Sequence, residues 1–287
     1  ALQPESSREP HTDRILRHHS LLDSGITESH VRTARHGYLA NVSYFDDMLG
    51  DLLDTLRQTG LNRNTVILLT ADHGDMLGEH GLWFKKHFND HASRVPLIVH
   101  APEYFANGRS LVNVSLVDLL PTLCDLGGLK VTEHAPQSLD GTSLVSQCEH
   151  PEHSNSGAVY AEITSEGVPA PMFMVRSGQF KLIQGGDVPP VLYDLANDPE
   201  ERSNVVDQLE LTDTKRSLES LIQDCWDPAS LERDIRLSQR RRRLVHAAHQ
   251  KGTAPVWDHR PEDPTVPWIH RGPELYNDWA WLGIETP

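Results

Sequence analysis

Asp72 and His73 stand directly after a short apolar run, and Lys85 follows about a dozen residues later. The run, residues 65–70, is rich in β-branched residues and leucine, which is typical of a fully buried strand. In an open α/β sheet, ligands bind outside the carboxyl ends of the strands. A carboxylate and an imidazole at that edge can reach one cation. The pair is therefore a candidate metal site, and Lys85 is expected to place a positive charge near it.

The Asp-His pair has a simpler interpretation, in which it caps the following helix. The surrounding sequence favours the metal site. Residues 70–85, Thr-Ala-Asp-His-Gly-Asp-Met-Leu-Gly-Glu-His-Gly-Leu-Trp-Phe-Lys, resemble the second metal-binding motif of the sulfatases in the alkaline-phosphatase-like superfamily. The resemblance continues at residues 35–50, 94–98 and 192–202, the last being similar to the LYDL…DP.E..N signature near the end of such enzymes.

The resemblance implies a sulfuric ester hydrolase in which Asp72 and His73 form part of the metal shell. It also implies that Lys85 contacts the sulfate or protonates the leaving oxygen. Sulfatases use a formylglycine nucleophile made from a C-x-P-x-R motif, and neither that motif nor the N-terminal Asp pair of the metal site occurs in this sequence. We therefore expect the chain to match the C-terminal half of a sulfatase, with formylglycine in the missing half, and to be inactive alone.

The metal of these enzymes is usually calcium, held by oxygen ligands that include an Asn after the Asp. Here that position is His73, and imidazole suits manganese, iron or zinc better than calcium. We expect one divalent ion, either calcium or, given the imidazole, manganese. The Asp-His version resembles choline sulfatases and phosphonate monoester hydrolases.

The substrate is suggested by the end of the chain. Residues 238–245 and 253–258 resemble the C-terminal extension of choline sulfatases, which implies a homo-oligomer assembled through that extension and a small sulfated substrate. A quaternary ammonium is held by carboxylates and aromatic faces. Glu162 and Glu166 match the acidic choline contact of that group approximately, whereas residues 274–287 depart from the usual ending.

Two other functions stay open. One is a phosphonate or phosphate ester hydrolase of the same superfamily, which would differ in its nucleophile. The other is a truncated, non-catalytic binding or assembly protein.

The composition limits the partners. The 287 residues hold 26 Lys plus Arg against 41 Asp plus Glu, a formal net charge of -15, which argues against general nucleic-acid binding. No apolar run approaches ~18 residues, so we expect no membrane span. The widely spaced Cys124, Cys148 and Cys225 predict free thiols in a reducing, cytoplasmic compartment, and the first residues show no signal-peptide pattern.

The predicted elements position these residues in three regions. Alternating strands and helices predict a parallel-sheet α/β domain over residues 1–155, including an amphipathic helix from Val31 to Gln58 ended by Gly60. Short strands over residues 156–227 predict a small antiparallel subdomain with a covering helix. Residues 228–287 form the extension and begin with a polar helix. We interpret four early histidines as surface residues: His11, His18, His19 and His30.

Overall fold

The structure, a computed structural model, describes residues 8–129, 138–153 and 157–252. The chain divides into two units, one ending at Glu232 and the other beginning at Arg233. The first unit therefore contains both the predicted α/β region and the predicted small-sheet region. Within the described residues, no helix is long and apolar enough to cross a membrane.

Helix α1, Pro10–His18, has Glu9 as its N-cap. The Glu9 carboxylate accepts hydrogen bonds from the backbone N–H groups of His11 and Thr12. Such a carboxylate satisfies amide groups that the first helical turn leaves unpaired. The helix buries Ile15 and Leu16. The prediction of surface histidines is wrong for His11, which is 1% exposed, because it lies on the inward face of this short helix.

Helix α2, Glu28–Thr59, confirms the long predicted helix. Thr27 and His30 form a capping box at its start, and Gly60 ends it in the left-handed conformation with a φ of 73°. The helix has no buried residue, although the periodicity predicts a core-facing stripe. Within the described residues its apolar side chains stay half-buried or exposed, among them Leu39, Val42, Phe45 and Leu52.

Strands β1, Ile67–Thr70, and β4, Leu97–His100, pair with each other in antiparallel register. Alternating strands and helices had predicted parallel pairing. A parallel pair needs a crossover connection, usually a helix. The connection here instead holds a hairpin of β2, Met76–Leu77, and β3, Trp83–Phe84, followed by the four-residue helix α3, Asp90–Ser93. β1 is also half-buried, not fully buried as expected.

Two shorter helices follow. A 3-10 turn, Leu116–Asp118, leads into α4, Leu119–Leu126. Helix α5, Val145–Glu149, follows it along the chain.

The antiparallel sheet is confirmed. Its strands are hydrogen-bonded in the order β5, Val159–Ile163; β6, Met172–Ser177; β7, Phe180–Gly185; and β8, Val188–Asp194. One face packs on the covering helix α6, Thr212–Cys225, through a cluster that consists of Phe173, Val175, Leu182, Leu192, Leu218 and Ile222. The opposite face packs on Phe88, which follows the Asp-His motif along the chain. The sheet therefore supports the loop that carries the candidate site.

Helix α7, Pro228–His249, confirms the polar helix that opens the extension, and it buries no residue. Arg240 to Arg243 are exposed on it. The aromatic-rich stretch after Gly252 lies outside the described residues.

Candidate active site

The Asp-His motif opens onto a cavity of about 660 Å³. The cavity also receives side chains from the loop after β3 and from the four-stranded sheet. Its charged lining residues include Asp72, His73, Lys85, Glu162, Arg176 and Lys181. Four of the residues singled out from the sequence thus share one cavity.

His73 is oriented by its own backbone. Its Nδ1 lies 2.8 Å from the carbonyl oxygen of Gly74. Because a carbonyl only accepts, this contact assigns the proton to Nδ1 and leaves the lone pair of the neutral ring on Nε2. That nitrogen lies 3.3 Å from the Asp72 carboxylate and 2.9 Å from Nζ of Lys85. A carboxylate oxygen and an imidazole lone pair therefore converge, which is suitable for holding a cation.

The loop that carries this pair is held by a close backbone approach at Gly74. Its N–H donates to the carbonyl of Ala92 over 2.8 Å. A Cβ at this position would lie 2.1 Å from the carbonyl oxygen of His91. The turn after β1 therefore needs glycine, and it packs directly against α3.

A buried ionic cluster joins α3 to the sheet. Lys181, 1% exposed, donates to Asp90, to the carbonyl of Phe88 over 3.0 Å and to Glu201 over 2.7 Å. Arg176 lies 3.2 Å from the same Asp90. Burial alone would raise the pKa of the Asp90 carboxyl, but the Lys181 ammonium and the Arg176 guanidinium hold that pKa below its usual value. The cluster anchors the site loop electrostatically.

No local pattern in the sequence predicts this cluster. The only local signal for Lys181 is that it is a charged residue in a strand whose next residue on the same face, Ile183, is apolar. Glu201 lies within the segment that resembles the LYDL signature, and its carboxylate accepts the N–H of Asp90 over 2.7 Å. Two partners separated by 111 residues give no local pattern.

A second buried polar cluster joins His87 to helix α1. Nε2 of His87 lies 3.3 Å from the Glu9 carboxylate and 3.2 Å from the Thr12 hydroxyl. The ring of His11 stacks on His87 with centroids 5.0 Å apart. Burial raises the pKa of Glu9, but hydrogen bonding and charge interaction with His87 outweigh it, and the net pKa is about 2. Burial and the neighbouring His87 lower the pKa of His11 to about 3.

The two glutamates predicted to contact substrate are placed differently. Glu162 lies in β5, is exposed and lines the cavity. Glu166 lies beyond the end of that strand with a φ of 58°, and its carboxylate is 3.9 Å from Nζ of Lys86. It is not among the residues that line the cavity.

Asp72 and His73 offer two potential ligand atoms for a cation. Among the described residues, no third His, Cys, Asp or Glu completes a group with them in which all ligand atoms lie within 4.8 Å of one another. The two donors would fit a divalent ion as part of a shell that needs further ligands.

Solved structures define the class of fold. The chain is similar to a 2-O glycosaminoglycan sulfatase, with a TM-score of 0.67 and 26% identity over 78% of this chain and 50% of that one. It is equally similar to the phosphonate monoester hydrolase of Silicibacter pomeroyi, with a TM-score of 0.67 and 25% identity over 78% and 49% of the two chains. The fold is the α/β fold of the alkaline-phosphatase-like superfamily.

Family models assign the chain more closely. The sulfatase model matches residues 5–129, the model of the N-sulphoglucosamine sulphohydrolase C-terminal region matches residues 78–227, and the choline sulfatase enzyme C-terminal model matches residues 233–266. The chain belongs to the sulfatase family. It is 37% identical to the choline-sulfatase of Rhizobium meliloti (strain 1021) over 90% of this chain and 50% of that protein. The chain therefore spans about half the length of this relative.

Proposed function

We propose that this chain forms the C-terminal portion of a metal-dependent sulfuric ester hydrolase that acts on choline-O-sulfate. One observation carries the proposal: Asp72, His73, Lys85 and Glu162 line a single cavity. Hydrolysis of such an ester requires stabilisation of charge on the sulfate oxygens and a proton for the leaving oxygen. Recognition of choline requires negative charge near a quaternary ammonium.

Asp72 and His73 would hold the ion through a carboxylate oxygen and Nε2. The ion would be calcium or, given the imidazole, manganese, and it would act as a Lewis acid toward the sulfate oxygens. The hydrogen bond from Nδ1 to the Gly74 carbonyl supports this role, since it keeps the Nε2 lone pair directed away from the backbone.

Lys85 would work on the same wall of the cavity. Its ammonium is exposed and lies 2.9 Å from Nε2 of His73, to which it donates a hydrogen bond. Because the side chain is not buried, the ammonium can rotate toward a bound anion. It would donate to a sulfate oxygen or protonate the leaving oxygen.

Glu162 is the stronger candidate for the cationic end of the substrate. It lies in the edge strand β5 and is one of the residues that line the cavity, and its register with Phe173 puts its side chain on the sheet face that packs on α6. Glu166 is the weaker one, because it lies near Lys86 outside the cavity lining. We further propose that the nucleophile is a formylglycine on polypeptide outside these 287 residues, and that the enzyme assembles as a homo-oligomer through the extension.

The specificity assignment is tested with Glu162→Gln in the native polypeptide. We expect kcat/KM for choline-O-sulfate to fall about tenfold, corresponding to ~1.4 kcal/mol, while kcat/KM for 4-nitrophenyl sulfate stays unchanged, because only the first substrate carries a cation. Glu166→Gln is the matched control and should change neither value. Equal losses on both substrates in Glu162→Gln would contradict the choline contact.

The second candidate function is phosphonate monoester hydrolysis. The similarity to the phosphonate monoester hydrolase of Silicibacter pomeroyi supports it, and so does the histidine that follows Asp72 in this sequence, which resembles the motif of that group. A kcat/KM for 4-nitrophenyl phenylphosphonate above those for both sulfate esters would favour this function over the first.

A further inference from the structure

A second candidate metal site lies on the tetrapeptide His150-Pro-Glu-His153, directly after α5. His150, Glu152 and His153 place one ligand atom each within 4.8 Å of one another. Across the described parts of the chain, this is the one group of three or more such side chains that meets that distance.

The distances approach those of a zinc shell. Nδ1 of His150 lies 3.7 Å from Oε1 of Glu152, and Nε2 of His153 lies 3.8 Å from the same oxygen. Zinc bonds of ~2.0–2.1 Å in a tetrahedron place neighbouring ligand atoms roughly 3.3 Å apart. The two imidazole rings are stacked with centroids 4.7 Å apart, so small side-chain rotations would bring all three donors to one ion.

The turn is already held in place by protein contacts. The His153 N–H donates to the carbonyl of His150 over 3.0 Å. Nε2 of Gln147 lies within hydrogen-bond distance of the carbonyls of His150, Pro151 and His153, and 2.8 Å from the hydroxyl of Ser110. A ligand set on a turn that is ordered beforehand loses less conformational entropy when it binds an ion.

The position also leaves an ion accessible. Glu152 and His153 line an open cavity of about 840 Å³ beside Arg109 and Arg176. None of the three ligand residues lines the cavity of Asp72 and His73. The tetrapeptide is therefore a site of its own.

We propose that His150, Glu152 and His153 bind one zinc ion. Two neutral imidazoles and a carboxylate match the donors that zinc prefers and leave a fourth position for water or a small anion. Calcium would require six to eight oxygen ligands, which this set does not supply.

Isothermal titration of zinc into tag-free, chelator-treated protein tests the site. We expect one zinc-binding event to be lost in His150→Ala/His153→Ala and retained in Asp72→Ala/His73→Ala. The control His36→Ala/His249→Ala removes two exposed histidines and should bind like the wild type. Circular dichroism and thermal melts of the first variant should be unchanged, since the two imidazoles are 54% and 65% exposed.

Three results would overturn the proposal: no zinc binding by the wild type, unchanged stoichiometry and affinity in His150→Ala/His153→Ala, or loss of the same binding event in Asp72→Ala/His73→Ala. The test uses zinc binding alone. Its outcome is therefore separate from that of the sulfatase assays.

Discussion

Nζ of Lys85 lies 2.9 Å from Nε2 of His73, the ring nitrogen whose lone pair faces the cavity. The opposite nitrogen of that ring is held by the carbonyl of Gly74. The Lys85 ammonium therefore donates a hydrogen bond to the nitrogen that we propose as a metal ligand. In the proposed enzyme the two residues have different tasks, and substitutions can separate them.

Lys85→Gln in the native polypeptide should lower kcat roughly 10²–10³-fold, because a charged donor to the reacting group is removed. Its apparent affinity for manganese should stay the same or rise, since the ammonium no longer repels the ion or competes for Nε2. Steady-state kinetics and metal titration measure the two effects. Lys86→Gln is the neighbouring control. A loss of metal affinity as large as that of His73→Ala would argue against separate roles.

Gly74→Ala should destabilise the protein by about 1–3 kcal/mol, because its Cβ would overlap the His91 carbonyl. The shift should also weaken metal binding by Asp72 and His73. Gly37→Ala is the matched control: a Cβ there meets nothing within 4 Å, and the substitution should stabilise α2 by about 0.5–1 kcal/mol. Urea unfolding measures the change in stability, and metal titration measures the change in affinity. A stability and metal affinity equal to those of the wild type in Gly74→Ala would contradict the close approach.

Lys181→Met should destabilise the protein by about 3–5 kcal/mol, because Glu201 would remain as a buried anion without its ammonium partner and Asp90 would keep only Arg176. Arg216→Ala breaks an exposed ion pair with Asp213, whose partners are 70% and 95% exposed, and should cost less than about 1 kcal/mol. Chemical denaturation compares the two. Similar small losses in both variants would show that the buried cluster does not anchor the loop.

The free energy of unfolding should fall as the pH drops from 6.5 toward 3. The pKa of His11 is lowered from 6.5 to about 3 by burial and by His87, with Arg14 adding to the shift and Glu9 opposing it. Below pH 6.5 the unfolded chain therefore binds a proton that the native state excludes, and stability is lost. The pKa of Glu9, lowered from 4.5 to about 2, adds a second loss between those values.

His11→Phe keeps a ring against His87 and removes the titration. Its unfolding free energy, measured by urea denaturation at several pH values, should vary less than that of the wild type between pH 6.5 and 4.5. His36→Phe, at an exposed position, should keep the wild-type slope. An unchanged slope in His11→Phe would exclude His11 as the source.

Local patterns were sufficient for much of the fold. Apolar spacing and the terminal Gly60 predicted α2, and short runs bounded by Gly and Pro predicted the antiparallel sheet with its covering helix. They did not predict how β1 and β4 pair. Pairing direction depends on the path of the 26-residue connection, from Ala71 to Pro96, which folds as a hairpin and one helical turn.

The sequence by itself determined the family resemblance and the candidate metal-binding pair, because Asp72, His73 and Lys85 lie within one continuous motif. Only the tertiary structure decided which glutamate lines the cavity of that motif. Glu162 is held by the register of β5, whereas Glu166 leaves the strand in a left-handed conformation. It also decided that Lys181 meets Asp90 and Glu201, since buried charges distant in sequence are brought together by strand register and the packing of Phe88 on the sheet.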